Sequence, residues 1–298
     1  MKYEITDETK ELEGHILHRI EALIDFNNVK KGDKGGWIEK ESNLSQYGDC
    51  WVYGNALVCD DAIVCDKAEV SGSAWVIGNA VVCGNAVVSD NAEVCDNAKV
   101  SDKAFVCDDA KVCGKAVVSD NAIVRNNAIV CNKAIVCDKA EVSGSAWVIG
   151  NAVVRGNAVV FGDAWVRDNS VVCDNAKVYG DAVVCDKAEV CANSVVRDNA
   201  VVGGNALVCN NALVRGNPEI YGDAIIEKMG DYIVFQNWWS SGRFFTYTKS
   251  NKMWTVGCFY GTGEQLIKKA YADSEDKGEC YKIIVKSVHY IENVLTKQ

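Results

Sequence analysis

Residues 56–79 read ALVCDD, AIVCDK, AEVSGS and AWVIGN, four hexads that each begin with Ala and carry Val two positions later. The pattern runs on without insertion to Ala224, a total of 29 hexads. Only Ser170, Ser194 and Pro218 replace the Ala, and Ile220 and Ile226 replace the last two Val. Two looser hexads, centred on Leu44 and Cys50, precede the run. Residues 65–82, CDKAEVSGSAWVIGNAVV, recur unchanged at 137–154, which marks an internal duplication. A fixed short period of this kind is the signature of a repeat architecture.

Small residue, any residue, Val is a three-residue strand by its period-2 alternation. Ala and Val point one way and the middle residue the other. One variable residue follows, then a pair such as Gly-Asn, Asp-Asn or Asp-Lys. These tolerate the left-handed backbone region and turn a corner. Strand and corner at constant length close into a prism lined by Ala and Val. Period six does not hold Ala and Val on one helix face, and Val with Gly and Asn opposes helix formation. The chain has a single Pro in 298 residues, consistent with a ladder that uses every N–H.

These hexads resemble the hexapeptide-repeat, single-stranded left-handed β-helix proteins. The resemblance covers residues 44–226 and implies left-handed coils of three hexads, or 18 residues. About ten coils at ~4.8 Å each give a rod roughly 45 Å long. The expected fold is mainly β: a left-handed parallel β-helix, an N-terminal β cap over 1–43 and a small α+β domain over 227–298. In the cap segment, the series Gly14-His15-Ile16-Leu17-His18, Gly35-Gly36-Trp37-Ile38-Glu39 and Asn43-Leu44-Ser45 resembles the N-terminal segment of YdcK-like bacterial and phage-type β-helix proteins. A hairpin there would shield the open edge of the first coil.

Beyond Ile226 the composition shifts. Residues 227–298 hold four of the seven Phe, with Trp238, Trp239 and Trp254. They carry ten Lys and Arg against eight Asp and Glu, on a chain whose net charge is −10. Strands are expected near 232–236, 244–248 and 254–259. A helix should follow Thr262, and a second should run over about 279–295 with Tyr281, Ile284, Val285, Val288 and Ile291 on one face.

The acidic balance argues against a general nucleic-acid binder. No apolar run reaches the length of a membrane span, and the first residues lack the pattern of a signal peptide, so a cytoplasmic protein with reduced thiols is expected. The resemblance raises the prospect of an acyltransferase, in which a coil histidine acts as general base. The only histidines here are His15, His18 and His289, none in the repeat. No catalytic residue is assigned. A Cys258–His289 nucleophile pair is the weaker catalytic reading.

Twelve cysteines directly follow a core Val, and residues 18 apart should stack, as in the column Cys95, Cys113, Cys131. Arg125, Arg155, Arg167 and several Ser occupy the same hexad position, which suits corner filling, and no metal ligand or cofactor is assigned. Outward positions Ile63, Val81, Val117, Ile135, Val153, Val171, Leu207 and Ile225 form a long aliphatic row. With the side-by-side trimers common in similar proteins, the row implies a homo-oligomer.

The expected ligand-binding residues are Trp238, Trp239, Arg243, Tyr247, Tyr260 and Thr262. Aromatic faces, one guanidinium and a helix start suit a small anionic, nucleotide-like ligand. The leading expectation is a non-catalytic binding or scaffold protein whose rod presents this domain to such a ligand or to a host protein. A phage-type sponge for a nucleotide-like molecule and a hexapeptide acyltransferase are the alternatives.

Overall fold

The computed structural model describes residues 1–238 and 241–295. Each hexad contributes one two-residue strand, such as Trp75–Val76 and Val81–Val82, and the strands stack into three parallel sheets. Registers join residues 18 apart: Trp147 opposite Trp165, Ile135 opposite Val153, Phe105 opposite Ile123. The ladder bonds run one way. Leu57 N–H donates to the Ala74 carbonyl at 2.9 Å, Cys59 to Val76 at 3.1 Å, and so on along the rod. Ala and Val fill the interior with essentially no solvent exposure. Ser170 and Ser194 replace Ala without an orphaned hydroxyl, since each bonds a carbonyl three residues back, at 2.7 Å. Outward side chains stack too, as the parallel Trp147–Trp165 rings at 5.1 Å show.

The corners explain the Asp-rich pairs. The first residue of each pair has φ near +60°, and among non-glycines it is Asp or Asn with one exception, Ala192 at +57°. Asp and Asn enter this region more readily than other residues. They also serve the next coil. Asp66 Oδ2 accepts from Gly84 N–H at 3.0 Å, Asp96 from Gly114 at 2.8 Å and Asp138 from Gly156 at 2.9 Å. Each carboxylate thereby satisfies a corner donor that the main-chain ladder passes over.

At the N-terminal end, β1 (Tyr3–Leu12) and β2 (His15–Ala22) form the expected hairpin, and β3 (Lys34–Ile38) pairs antiparallel with β2. The same β3 pairs in parallel with the first regular hexad, Trp37 opposite Leu57. Ladder pairing therefore begins inside the 1–43 segment, in a strand whose Ala position is taken by Gly36. A Cβ on Gly36 would come within 2.5 Å of the Ala56 carbonyl oxygen, which explains the glycine. Counting this strand, the solenoid makes about eleven turns.

At the other end, four antiparallel strands (232–236, 244–248, 253–256, 259–262) lie across the last coil. The expected single strand over 254–259 is two strands, because Gly257 at φ +57° turns the chain. Helix α1 (Gly263–Asp273) and helix α2 (Glu275–Leu295) cover the outer face of this sheet. Tyr232 and Val234 pack on the rod core, whereas Ile233, Phe235, Phe245 and Tyr247 belong to the core beneath the helices. The period-2 alternation thus serves two cores from one sheet. Of the expected α2 face, Tyr281, Val285 and Val288 are buried and Ile291 is exposed.

Two stability outcomes follow from the coil. Ala128 is buried and Ile129, its neighbour, points outward. Ala128→Leu should cost about 1–3 kcal/mol by overpacking, and Ile129→Thr less; equal losses in denaturant unfolding would mean that the inward and outward positions are reversed. Ala192→Gly should raise stability by about 0.5–1 kcal/mol, because glycine occupies positive φ without a Cβ penalty. A loss of stability in the same assay would contradict the corner assignment.

Candidate functional site

The C-terminal domain carries a small cleft where the turn at 257–258 meets both helices. Arg243, at the end of a loop, extends its side chain over Gly257; a Cβ there would lie 3.3 Å from Arg243 Cδ. Lys269 and Asp273 stand one turn apart on α1 and Lys277 opens α2, all on the same cleft with Cys258, Phe259 and Tyr281. The cleft is small, with a cavity volume of about 40 Å³, and it opens to solvent.

The charges in this cleft do not cancel. Lys277 Nζ bonds Asp273, and this contact, helped by Lys269 and Arg243, holds the Asp273 carboxyl below its ordinary range. Lys269 Nζ sits 5.4 Å from the Phe259 ring centroid and Lys277 Nζ 5.7 Å from that of Tyr281. Among the described residues no carboxylate lies within ion-pair distance of Arg243 or Lys269. One carboxylate therefore faces three cations on an aromatic floor, an arrangement that attracts an anion.

The six residues expected to bind ligand do not converge on this cleft. Arg243 lines it. Tyr247 is buried in the domain core, where its hydroxyl donates to Glu292 Oε2 at 2.8 Å. Burial, with that carboxylate, pushes its phenol well above the ordinary range. Tyr260 reaches the rod, with its hydroxyl 3.4 Å from the Tyr221 carbonyl oxygen. Thr262 is the N-cap of α1: its hydroxyl accepts from Gln265 N–H at 3.3 Å, and Gln265 Oε1 accepts from Thr262 N–H at 2.9 Å. This capping box occupies the helix start that the sequence offered to an anion. Trp238 is exposed, and Trp239 lies outside the described residues. The cleft residues missed from sequence, Lys269 and Lys277, fall eight positions apart, and only the α1–α2 packing places them together. His289 packs edge-on against Tyr247, 6.1 Å between rings, and does not line the cleft that holds Cys258.

The cysteine columns stack as expected from the 18-residue register. All fifteen cysteines are free thiols. Burial pushes Cys59 and Cys173 up to about 12, and Cys65, Cys131 and Cys185 up to about 11. Cys113 moves the other way, lowered chiefly by its hydrogen bond with Cys95. Sets such as Cys65, Asp66 and Cys83 bring donor atoms within 4.8 Å of one another. Their Asp oxygen, however, is already engaged with the backbone of the next coil.

No helix among the described residues is long and apolar enough to cross a membrane. No protein-family model matches the chain. Over 37 residues it is 49% identical to a protein of Escherichia coli (strain K12) named Uncharacterized acetyltransferase YdcK. The match spans 12% of this chain and 11% of that relative.

Proposed function

We propose that the protein is a non-catalytic binding and scaffold protein. In this reading the β-helix is a rigid rod, and the C-terminal domain recognises an anionic group, on a small molecule or a partner protein, at the Arg243–Lys269 cleft. The observation that carries the reading is the excess of cations over an aromatic floor, on a chain whose overall net charge is −10. The acetyltransferase name of the relative supports the enzymatic alternative. Against it stands the repeat, which offers no histidine to act as a base and no loop that leaves the corners.

A charge-assisted bond from a guanidinium is worth about 1.5–3 kcal/mol. Calorimetry against phosphate, nucleoside phosphates and acidic peptides should therefore show binding that Arg243→Ala or Lys269→Ala weakens by about tenfold or more. Lys268→Ala, one residue along on the exposed side of α1, should change little. A nucleoside phosphate bound far better than phosphate alone would favour a sponge for nucleotide-like molecules, and an acidic peptide would favour a scaffold. Turnover of an acyl-coenzyme A donor, or affinity indifferent to Arg243 and Lys269, would sink the reading.

The same proposal gives the aliphatic row a role in self-association. Ile63, Ile135 and Ile225 are exposed along one sheet, with Lys99 and Glu189 as its charged interruptions. In sedimentation the wild type should run as an oligomer, a trimer if the resemblance extends that far, and Ile135→Glu should reduce its mass. A monomeric wild type would remove the row from the proposal.

A further inference from the structure

The N-terminal end of the rod holds a cluster that neither the anion cleft nor the corner pattern explains. His15 opens β2, Glu39 follows β3, and Cys59 is the corner residue of the first regular hexad. Three separate segments thus bring a ring nitrogen, a carboxylate oxygen and a thiol sulfur within 4.8 Å of one another. His15 Nδ1 lies 3.1 Å from Glu39 Oε1. Asp60 Oδ1 stands 3.8 Å from the other ring nitrogen.

We propose that His15, Glu39 and Cys59 form a binding site for a divalent transition-metal ion of the zinc type. Imidazole, thiolate and carboxylate are the donor classes such ions take, and a neutral imidazole with two anions balances the dication. Ligands about 2.0–2.1 Å from zinc at tetrahedral angles lie roughly 3.3 Å apart, which the His15–Glu39 spacing already approaches. The supporting contacts are in place. Glu39 Oε2 accepts from Asp60 N–H at 2.6 Å, which fixes the carboxylate and leaves Oε1 toward the histidine. Asp60 Oδ2 accepts from Gly78 N–H at 2.9 Å, which holds Oδ1 near the second ring nitrogen. At 3.8 Å that oxygen is a charged neighbour of the imidazole, not a hydrogen-bond partner. Leu17, Leu57, Trp75 and Ile77 form an apolar wall beside the cluster, while His15 and Glu39 keep about a third of their side-chain surface open to solvent.

This cluster differs from the other cysteine–carboxylate sets along the rod. Sets such as Cys65, Asp66 and Cys83 or Cys95, Asp96 and Cys113 contain no histidine. On binding, the Cys59 thiol releases its proton to solvent and the sulfur takes its place on the metal. The sequence alone assigned no metal ligand, because the three residues are spaced 24 and 20 apart in segments of different pattern.

Cobalt(II) titration of the full chain, stripped with chelator and kept reduced with a phosphine, tests the site. One equivalent should bind with a near-ultraviolet sulfur-to-cobalt charge-transfer band. Cys59→Ser should abolish the band; Ser already occupies this hexad position at Ser71, Ser89 and Ser101. His15→Gln and Glu39→Gln should weaken the affinity by about tenfold or more. The double variant Cys95→Ser, Cys113→Ser should leave both band and affinity unchanged. Absence of the band in the wild type, or its survival in Cys59→Ser, would overturn the proposal. If Cys59→Ser does not fold by circular dichroism, His15→Gln decides alone: a surface change that leaves cobalt affinity intact excludes the site.

Discussion

Every coil of this protein donates its strand N–H groups forward and offers its carbonyls backward. That single direction dictates both ends of the molecule. The first coil is left with carbonyls that no earlier coil can use, and the last with N–H groups that no later coil can accept. Buried backbone groups of this kind must find partners. At the N-terminal end the partners are donors: Lys2 Nζ to the Cys50 carbonyl at 2.8 Å, Tyr3 Oη to that of Leu44 at 2.7 Å, and Arg19 Nη1 to that of Gly35 at 3.0 Å. At the C-terminal end they are acceptors: Thr246 Oγ1 for Glu219 N–H at 2.9 Å, Ser250 Oγ for Ile225 at 2.7 Å, and Tyr232 Oη for Arg215 at 3.1 Å. The caps are chemically opposite because the ladder is polar.

The caps also close the apolar interior. Tyr3 and Phe26 pack edge-on against Trp51 below the first coil, with ring centroids 6.1 and 5.4 Å from it. Ile220 and Ile226, larger than the Val they replace, fill the other mouth under Tyr232 and Val234. Because the C-terminal sheet meets the rod with one face, its helices are free to build chemistry on the other. The basic cleft lies on that outer side, at the turn between two strands, while the cysteine–histidine–glutamate cluster lies where the hairpin joins the first coil. Both sit where the repeat ends, since an unbroken repeat presents the same few side chains on every turn and contains no histidine.

Much of the rod could be read from residues alone. Ala and Val at fixed spacing gave inward positions, and the 18-residue register followed once three hexads were taken per coil. Turn formation by the corner aspartates is legible in the sequence; their second task, accepting the next coil's N–H, needs two coils side by side and is invisible in one. The binding residues fared differently. Arg243 reaches a cleft, but Tyr247 had no sequence feature to distinguish a core tyrosine from a stacking platform, and Thr262 looked like an open helix start because Gln265 was not seen to fold back on it.

What the sequence determined is everything that repeats with a period: strand positions, the apolar core, the tight corners and the columns of like residues. Local alternation and turn preference suffice there, because each hexad meets a copy of itself. What only the tertiary structure decided is everything that joins unlike segments. The strand at 34–38 enters the ladder though its hexad is irregular, because pairing rewards its N–H groups. Lys269 and Lys277 flank Arg243 because two helices cross one sheet. His15 meets Glu39 and Cys59 because a hairpin folds back over the first coil. Such meetings depend on loop closure and packing between segments far apart in the chain, and no periodicity in the sequence encodes them.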